Sequence, residues 1–171
     1  MSRLSIREQV LNLILLFLVQ LPLVYRITLF DRAFAFFYVG FLLLLPRTLS
    51  RSYLMIIGFL SGLLVDVFTN TPGIHASASV AVMFVRNFWL SVVSDDSQEL
   101  TNLNMTSLKR SGFIYFTFPL AFLHHFLIFV IENGGFHLFG QLFSKIFFSS
   151  IFSTVIIFII SLIVSPVRRR A

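Results

Sequence analysis

One carboxylate lies deep inside an apolar stretch of the chain. Asp66 stands 13 residues beyond Tyr53, where that stretch begins, so on a helix it lies ~20 Å into a membrane core of ~30 Å. It is either a proton or cation site, or a structural acceptor that pairs with His75 and binds the 69–73 turn or the first backbone donors of the next helix. The structural interpretation is favoured, because no second acid inside the apolar stretches forms a relay with it.

Two adjacent histidines precede a glutamate in a later apolar stretch. Glu132 follows His125 by seven positions, a spacing that returns to the same face of a helix and also brings Ile128 there, whereas His124 points about 100° away. Adjacent histidines make a poor chelate, because a helical metal site uses histidines four residues apart together with a third ligand. Neither His75 nor His137 is guaranteed to supply that ligand. The pattern therefore favours hydrogen bonds between helices, made by His125 and Glu132, and predicts no metal.

The sequence offers no support for nucleophilic catalysis. The chain has no cysteine, and no Gly-x-Ser-x-Gly motif presents a serine nucleophile. The sequence therefore predicts a protein that is not an enzyme and uses no cofactor.

Small residues lie before and after Asp66 in the sequence. Gly58 and Gly62 lie one helical turn apart, and the stretch 76–81 is rich in alanine and serine. Small side chains let two membrane helices approach closely, so these two segments are predicted to pack tightly. Pro72 and Gly73 favour a tight turn between them, because proline suits the start of a helix and glycine adopts turn conformations freely.

The elements that carry these residues are predicted to be membrane helices. The sequence is 57% hydrophobic and 12% charged, which leaves too little polar surface for a soluble globule. No polar stretch is long enough to fold by itself, so residues 1–171 are predicted to form one all-α membrane bundle. About six transmembrane helices are expected, and the predicted spans cover 10–24, 33–45, 53–68, 74–93, 112–131 and 139–164.

The charged residues between these spans predict the topology. Most Lys and Arg residues fall on one side of the bundle, which indicates an inner-membrane protein with both ends in the cytoplasm. Arg168 to Arg170 are expected to anchor the last helix to anionic lipid. Asp95, Asp96 and Glu99 lie in the longest polar segment, either as a solvated loop or as a docking surface for a cytoplasmic partner. No basic face suited to nucleic acid is present.

The segment from Gly58 to Ala76, GFLSGLLVDVFTNTPGIHA, resembles the signature of the rod shape-determining protein MreD family. That signature joins a glycine-rich helix, an Asp, a Ser/Thr-x-x-Pro-Gly turn and a small-residue helix. The segment from His124 to Glu132 is similar to the fifth-helix region of MreD proteins from the Bacteroidota. Together these two segments cover about a sixth of the chain. The rest of the chain resembles the family in length and hydropathy alone.

The resemblance implies a non-enzymatic scaffold subunit of the cell-elongation machinery. Such a subunit binds MreC and, with MreB, RodA and a penicillin-binding transpeptidase, organises lateral peptidoglycan synthesis. It also implies a fold similar to the S components of energy-coupling-factor transporters. The alternative function is therefore a substrate-binding component of a vitamin transporter, which would need a polar pocket that opens outward. Short outer connections and sparse polar groups favour the scaffold.

Overall fold

A computed structural model describes residues 11, 14, 18, 28–29, 33–36, 38–94 and 110–164. Within these residues, four helices are long and apolar enough to cross a membrane. A small antiparallel hairpin and a six-residue helix precede them. In chain order the elements are β1 (Thr28–Leu29), β2 (Ala33–Phe34), α1 (Tyr38–Leu43), α2 (Arg51–Thr69), α3 (Ile74–Val93), α4 (Arg110–Glu132) and α5 (Phe139–Val164).

The long helices confirm four of the predicted spans. Helices α3 and α5 have the predicted bounds, and α2 and α4 extend one or two residues beyond theirs at each end. The predicted first span at 10–24 lies outside the described residues, except for Leu11, Ile14 and Leu18, which are helical. The described residues also leave out 95–109, with Asp95, Asp96 and Glu99, and 165–171, with the terminal arginines.

The prediction of a membrane-length helix over 33–45 is wrong. In this segment β2 pairs with β1, and the helix covers only Tyr38–Leu43, a length of about 9 Å. The 13 apolar residues fall short of the ~20 that a spanning helix needs, and a run of this length is typical of a buried or re-entrant segment. Residues 38–46 are all buried. Burial in protein is the condition under which irregular backbone is tolerated at membrane depth.

Helices α2 to α5 form an antiparallel bundle in which each helix packs on the next along the chain. Trp89, near the end of α3, donates to the carbonyl of Tyr115, near the start of α4, at 3.0 Å. Farther along the chain, Phe122 of α4 packs against Phe143 of α5. The buried segment, residues 35–36 and 38–45, fills the inside of this bundle. Here α1 contacts α2, α3 and α4, and β2 contacts α5.

The two glycines of α2 bring α2 and α3 into close contact, as predicted. A Cβ added at Gly62 would lie 2.5 Å from the Cα of Ala76. A Cβ added at Gly58 would lie 2.8 Å from Cγ of Met83 and 3.1 Å from the carbonyl oxygen of Ser79. At Gly62 the neighbouring atom belongs to the backbone and lies too close for a real side chain, so glycine is required there. At Gly58 an added side chain would have to displace the side chain of Met83.

Candidate functional site

The turn between α2 and α3 is fixed by two residues with left-handed backbone. Asn70 caps the end of α2 at φ 54°, and its backbone N–H donates to the carbonyl of Asp66. Gly73 immediately precedes α3 at φ 82°, a conformation that glycine adopts without strain. Pro72 is exposed in the turn, ahead of this cap, and α3 begins at Ile74.

Asp66 lies beneath this turn and is 3% exposed. One carboxylate oxygen accepts hydrogen bonds from the backbone N–H of His75 at 2.9 Å, from Nδ1 of His75 at 2.9 Å and from Oγ1 of Thr71 at 3.0 Å. The other accepts from the backbone N–H of Ala76 at 3.0 Å. Asp66 therefore lies on α2 and caps the start of α3. An acid at this position also complements the dipole of α3. These contacts confirm the structural interpretation.

His75 extends the contacts of Asp66 toward the buried segment. The edge of its ring meets Phe36, with the ring centroids 5.2 Å apart, and Tyr38 lies 6.1 Å away by the same measure. His75 is fully buried, and among the described residues its Nε2 has no hydrogen-bond partner. The α2–α3 turn is thus packed directly onto the irregular segment inside the bundle.

Tyr38 ties the short helix α1 to two of the long helices. Its hydroxyl lies 2.6 Å from Nε2 of His124 in α4 and 3.3 Å from Oγ of Ser79 in α3. All three side chains are fully buried, and hydrogen bonds between buried groups favour a single register of packing. The other ring nitrogen of His124, Nδ1, has no hydrogen-bond partner among the described residues.

His125 makes a second contact between helices. Its Nδ1 donates to the carbonyl of Ala121 at 2.7 Å, and its Nε2 lies 3.1 Å from Oγ of Ser153 in α5. In the same region the backbone N–H of Phe34 donates to Oγ of Ser149 at 3.0 Å. The predicted hydrogen bond between helices is confirmed for His125, whereas Glu132, within the described part of the chain, makes only an ion pair with α5; His124 adds a contact in a different direction. Glu132 is more exposed and lies 3.7 Å from Nζ of Lys145.

Arg86 binds the C-terminal end of the buried segment, at Leu43 and Leu45. Although it lies within α3, its side chain is fully buried. Its guanidinium donates to the carbonyls of Leu43 and Leu45 and to Oδ1 of Asn87. The last carbonyls of a helix have no partner inside that helix, so Arg86 closes the end of α1.

An apolar groove of about 610 Å³ runs along the outside of the α2–α3 hairpin. Ser77, Val80 and Ala81 of α3 line it, between Phe59 of α2 and Leu127 of α4. Ala76 touches both the groove and the carboxylate of Asp66. The buried hydrogen bonds therefore support the wall of an open surface.

The hydrogen bonds of this site join elements of the bundle to one another. The carboxylate of Asp66 is occupied by protein donors, and among the described residues no group of three or more His, Cys, Asp or Glu side chains could hold a metal ion. Sequence patterns do not single out Tyr38 or Arg86. For Arg86 the available signal is a cation inside a largely apolar stretch. No protein-family model, curated protein or solved structure matches the chain.

Proposed function

We propose that this protein is a non-enzymatic membrane scaffold of the MreD type, and that its α2–α3 hairpin docks the membrane helix of MreC. The observation that carries the proposal is the apolar groove along α3, which is backed by a rigid hydrogen-bonded turn. In the proposed setting the protein lies in the bacterial inner membrane with both ends in the cytoplasm. It contributes to a complex with MreB, RodA and a penicillin-binding transpeptidase.

The floor of the groove suits a helix better than a lipid chain alone. Gly73, which caps the start of α3, and Ser77 and Ala81 within it recur every four residues. Small residues at this spacing let a second backbone approach closely. They cover about 12 Å of helix. Met55 and Phe84 add larger apolar surface beside them. In the membrane, helix association depends on such close packing because lipid tails are as apolar as the side chains.

Filling the groove is expected to weaken the complex without changing the fold. In Ala81→Phe the added ring occupies the floor of the groove, so we expect co-purification with MreC to fall by roughly tenfold, about 1.4 kcal/mol. Val155→Phe is the matched control, because Val155 is exposed on α5, away from the groove. Equal recovery of MreC with the two variants would contradict the proposed docking surface. Gly62→Leu is a poorer test, because it would disrupt the α2–α3 packing itself.

The transporter alternative receives less support from the described pockets. The groove on α3 is almost wholly apolar, whereas a vitamin needs several convergent polar groups. A second pocket, beyond the end of α4, is polar, but it measures about 280 Å³ and is open. Sites for drug-sized ligands are larger and enclose most of the ligand, at roughly 300–1,000 Å³. The scaffold function is therefore preferred.

A further inference from the structure

The polar pocket lies at the turn that joins α4 to α5. Glu132 and Asn133 line one side, and His137, Gln141 and Lys145 line the other. None of these residues takes part in the Asp66 hydrogen bonds or in the groove along α3. The pocket is therefore a separate feature of the molecule.

Lys145 places a cation on the inner wall of this pocket. Its Nζ lies 4.1 Å from the ring centroid of Phe129 and 4.7 Å from that of Phe34. The nearest carboxylate oxygen belongs to Glu132 and lies 3.7 Å from Nζ of Lys145, a distance longer than a hydrogen bond. The aromatic rings hold the ammonium in position. Its N–H donors make no hydrogen bond to the described residues, so an anionic group can reach them.

Glu132 gives the pocket an opposite charge beside that cation. Its side chain is 27% exposed and that of Lys145 is 36% exposed, so both are open to a ligand. With one fixed charge of each sign, the pocket is complementary to a zwitterion. The anionic end of such a ligand would lie on Lys145 and its ammonium on Glu132. Gln141 and His137 supply further polar groups at the rim.

Exposed apolar side chains surround the pocket. Phe136, Leu138 and Phe139 are each about 60–70% exposed, although they flank a polar turn. Aromatic and apolar side chains beside charged ones are typical of the membrane interface, where lipid headgroups lie. The ligand that fits therefore carries an apolar tail next to its zwitterionic group.

We propose that this pocket binds the phosphoethanolamine headgroup of a membrane phospholipid. The phosphate accepts hydrogen bonds from Lys145, the primary ammonium donates to Glu132, and the acyl chains lie over Phe136, Leu138 and Phe139. Charge-assisted hydrogen bonds of this kind are the strong ones. The inference goes beyond the proposed function and does not rest on it, because the pocket shares no lining residue with the groove.

The test is native mass spectrometry of the full chain purified in detergent, with phosphatidylethanolamine or phosphatidylglycerol of equal chain length added at equal concentration. We expect the protein to retain phosphatidylethanolamine preferentially. Lys145→Gln and Glu132→Gln should each lower that retention by roughly tenfold, the effect of losing one charge-assisted hydrogen bond. Arg51→Gln is the matched control, because Arg51 begins α2 at the opposite end of the bundle, and it should retain the lipid like the unaltered chain.

Four results would overturn the assignment. Equal retention of the two lipids would show that the ammonium of phosphatidylethanolamine is not recognised. Preference for phosphatidylglycerol would show that the pocket does not select a zwitterionic headgroup. Retention unchanged in Glu132→Gln would exclude Glu132 as the partner even if Lys145→Gln failed to fold. Displacement by an equal concentration of soluble O-phosphoethanolamine would assign the pocket to a soluble ligand. Since MreC is absent from the assay, these outcomes are independent of the docking experiment.

Discussion

Replacing Asp66 by alanine is expected to lower the free energy of unfolding by about 3–5 kcal/mol, because it leaves several buried hydrogen-bond donors without an acceptor. The substitution leaves the backbone N–H groups of His75 and Ala76 without their acceptor. It also removes the acceptor of Nδ1 of His75 and Oγ1 of Thr71. Unfolding by SDS in mixed micelles, followed by the fluorescence of the single tryptophan, Trp89, measures the change.

Two further variants show whether the hydrogen bonds cause this loss. Asp66→Asn keeps one side-chain acceptor, so its effect should be intermediate. Ser61→Ala alters another buried polar residue on α2, but Ser61 makes no side-chain hydrogen bond to the described residues, so we expect less than about 1 kcal/mol. A small loss in Asp66→Ala, similar to that in Ser61→Ala, would contradict the assigned role of the carboxylate.

Replacing Arg86 by methionine is expected to destabilise the protein by about 2–4 kcal/mol, since it leaves two buried carbonyls without a donor. These carbonyls belong to Leu43 and Leu45. The effect should be local. Hydrogen exchange measured by mass spectrometry should accelerate most in segment 38–45, which Arg86 holds, and least in α5.

The controls for Arg86 separate its hydrogen bonds from its charge. Arg86→Lys keeps the charge but loses the planar fork of donors, so it should still release segment 38–45. Arg51→Met removes an exposed arginine that lies 5.1 Å over the ring of Phe84, and should change stability by no more than about 1 kcal/mol. Unchanged exchange in 38–45 for Arg86→Met would refute its role in closing α1.

The long helices were predictable because hydropathy sets them directly. In a membrane an apolar stretch of about 20 residues must satisfy its own backbone hydrogen bonds, so its length and composition fix the element. The contact between Gly62 and Ala76 was also predictable, because only small residues permit such an approach. The capping by Asp66 followed from its position before a turn and a new helix.

The buried segment was not predictable in the same way. Residues 33–45 are apolar whether they face lipid or protein, and their conformation depends on partners far along the chain, such as His124 and Ser149. Arg86 is a similar case, because hydropathy does not reveal that two free carbonyls lie within its reach. Tertiary contacts, and not local propensity, decide such positions.

The stability of the hairpin and the proposed function are linked through α3. Asp66 fixes the first turn of α3 through His75 and Ala76, while Ser77, Val80 and Ala81 follow directly along the groove. A helix held at its start presents these residues in one fixed orientation. Docking of a partner helix then requires little additional ordering, which favours affinity.

Disulfide crosslinking in native membranes tests the central claim most directly. The chain has no cysteine of its own, so Ala81→Cys carries the only one, in the floor of the groove. Cysteines are placed one at a time along the membrane helix of MreC. We predict crosslinks that recur with the ~3.6-residue period of a helix, and none with Val155→Cys, which is exposed on α5. The absence of crosslinks from Ala81→Cys, or equal crosslinking from Val155→Cys, would contradict docking in this groove.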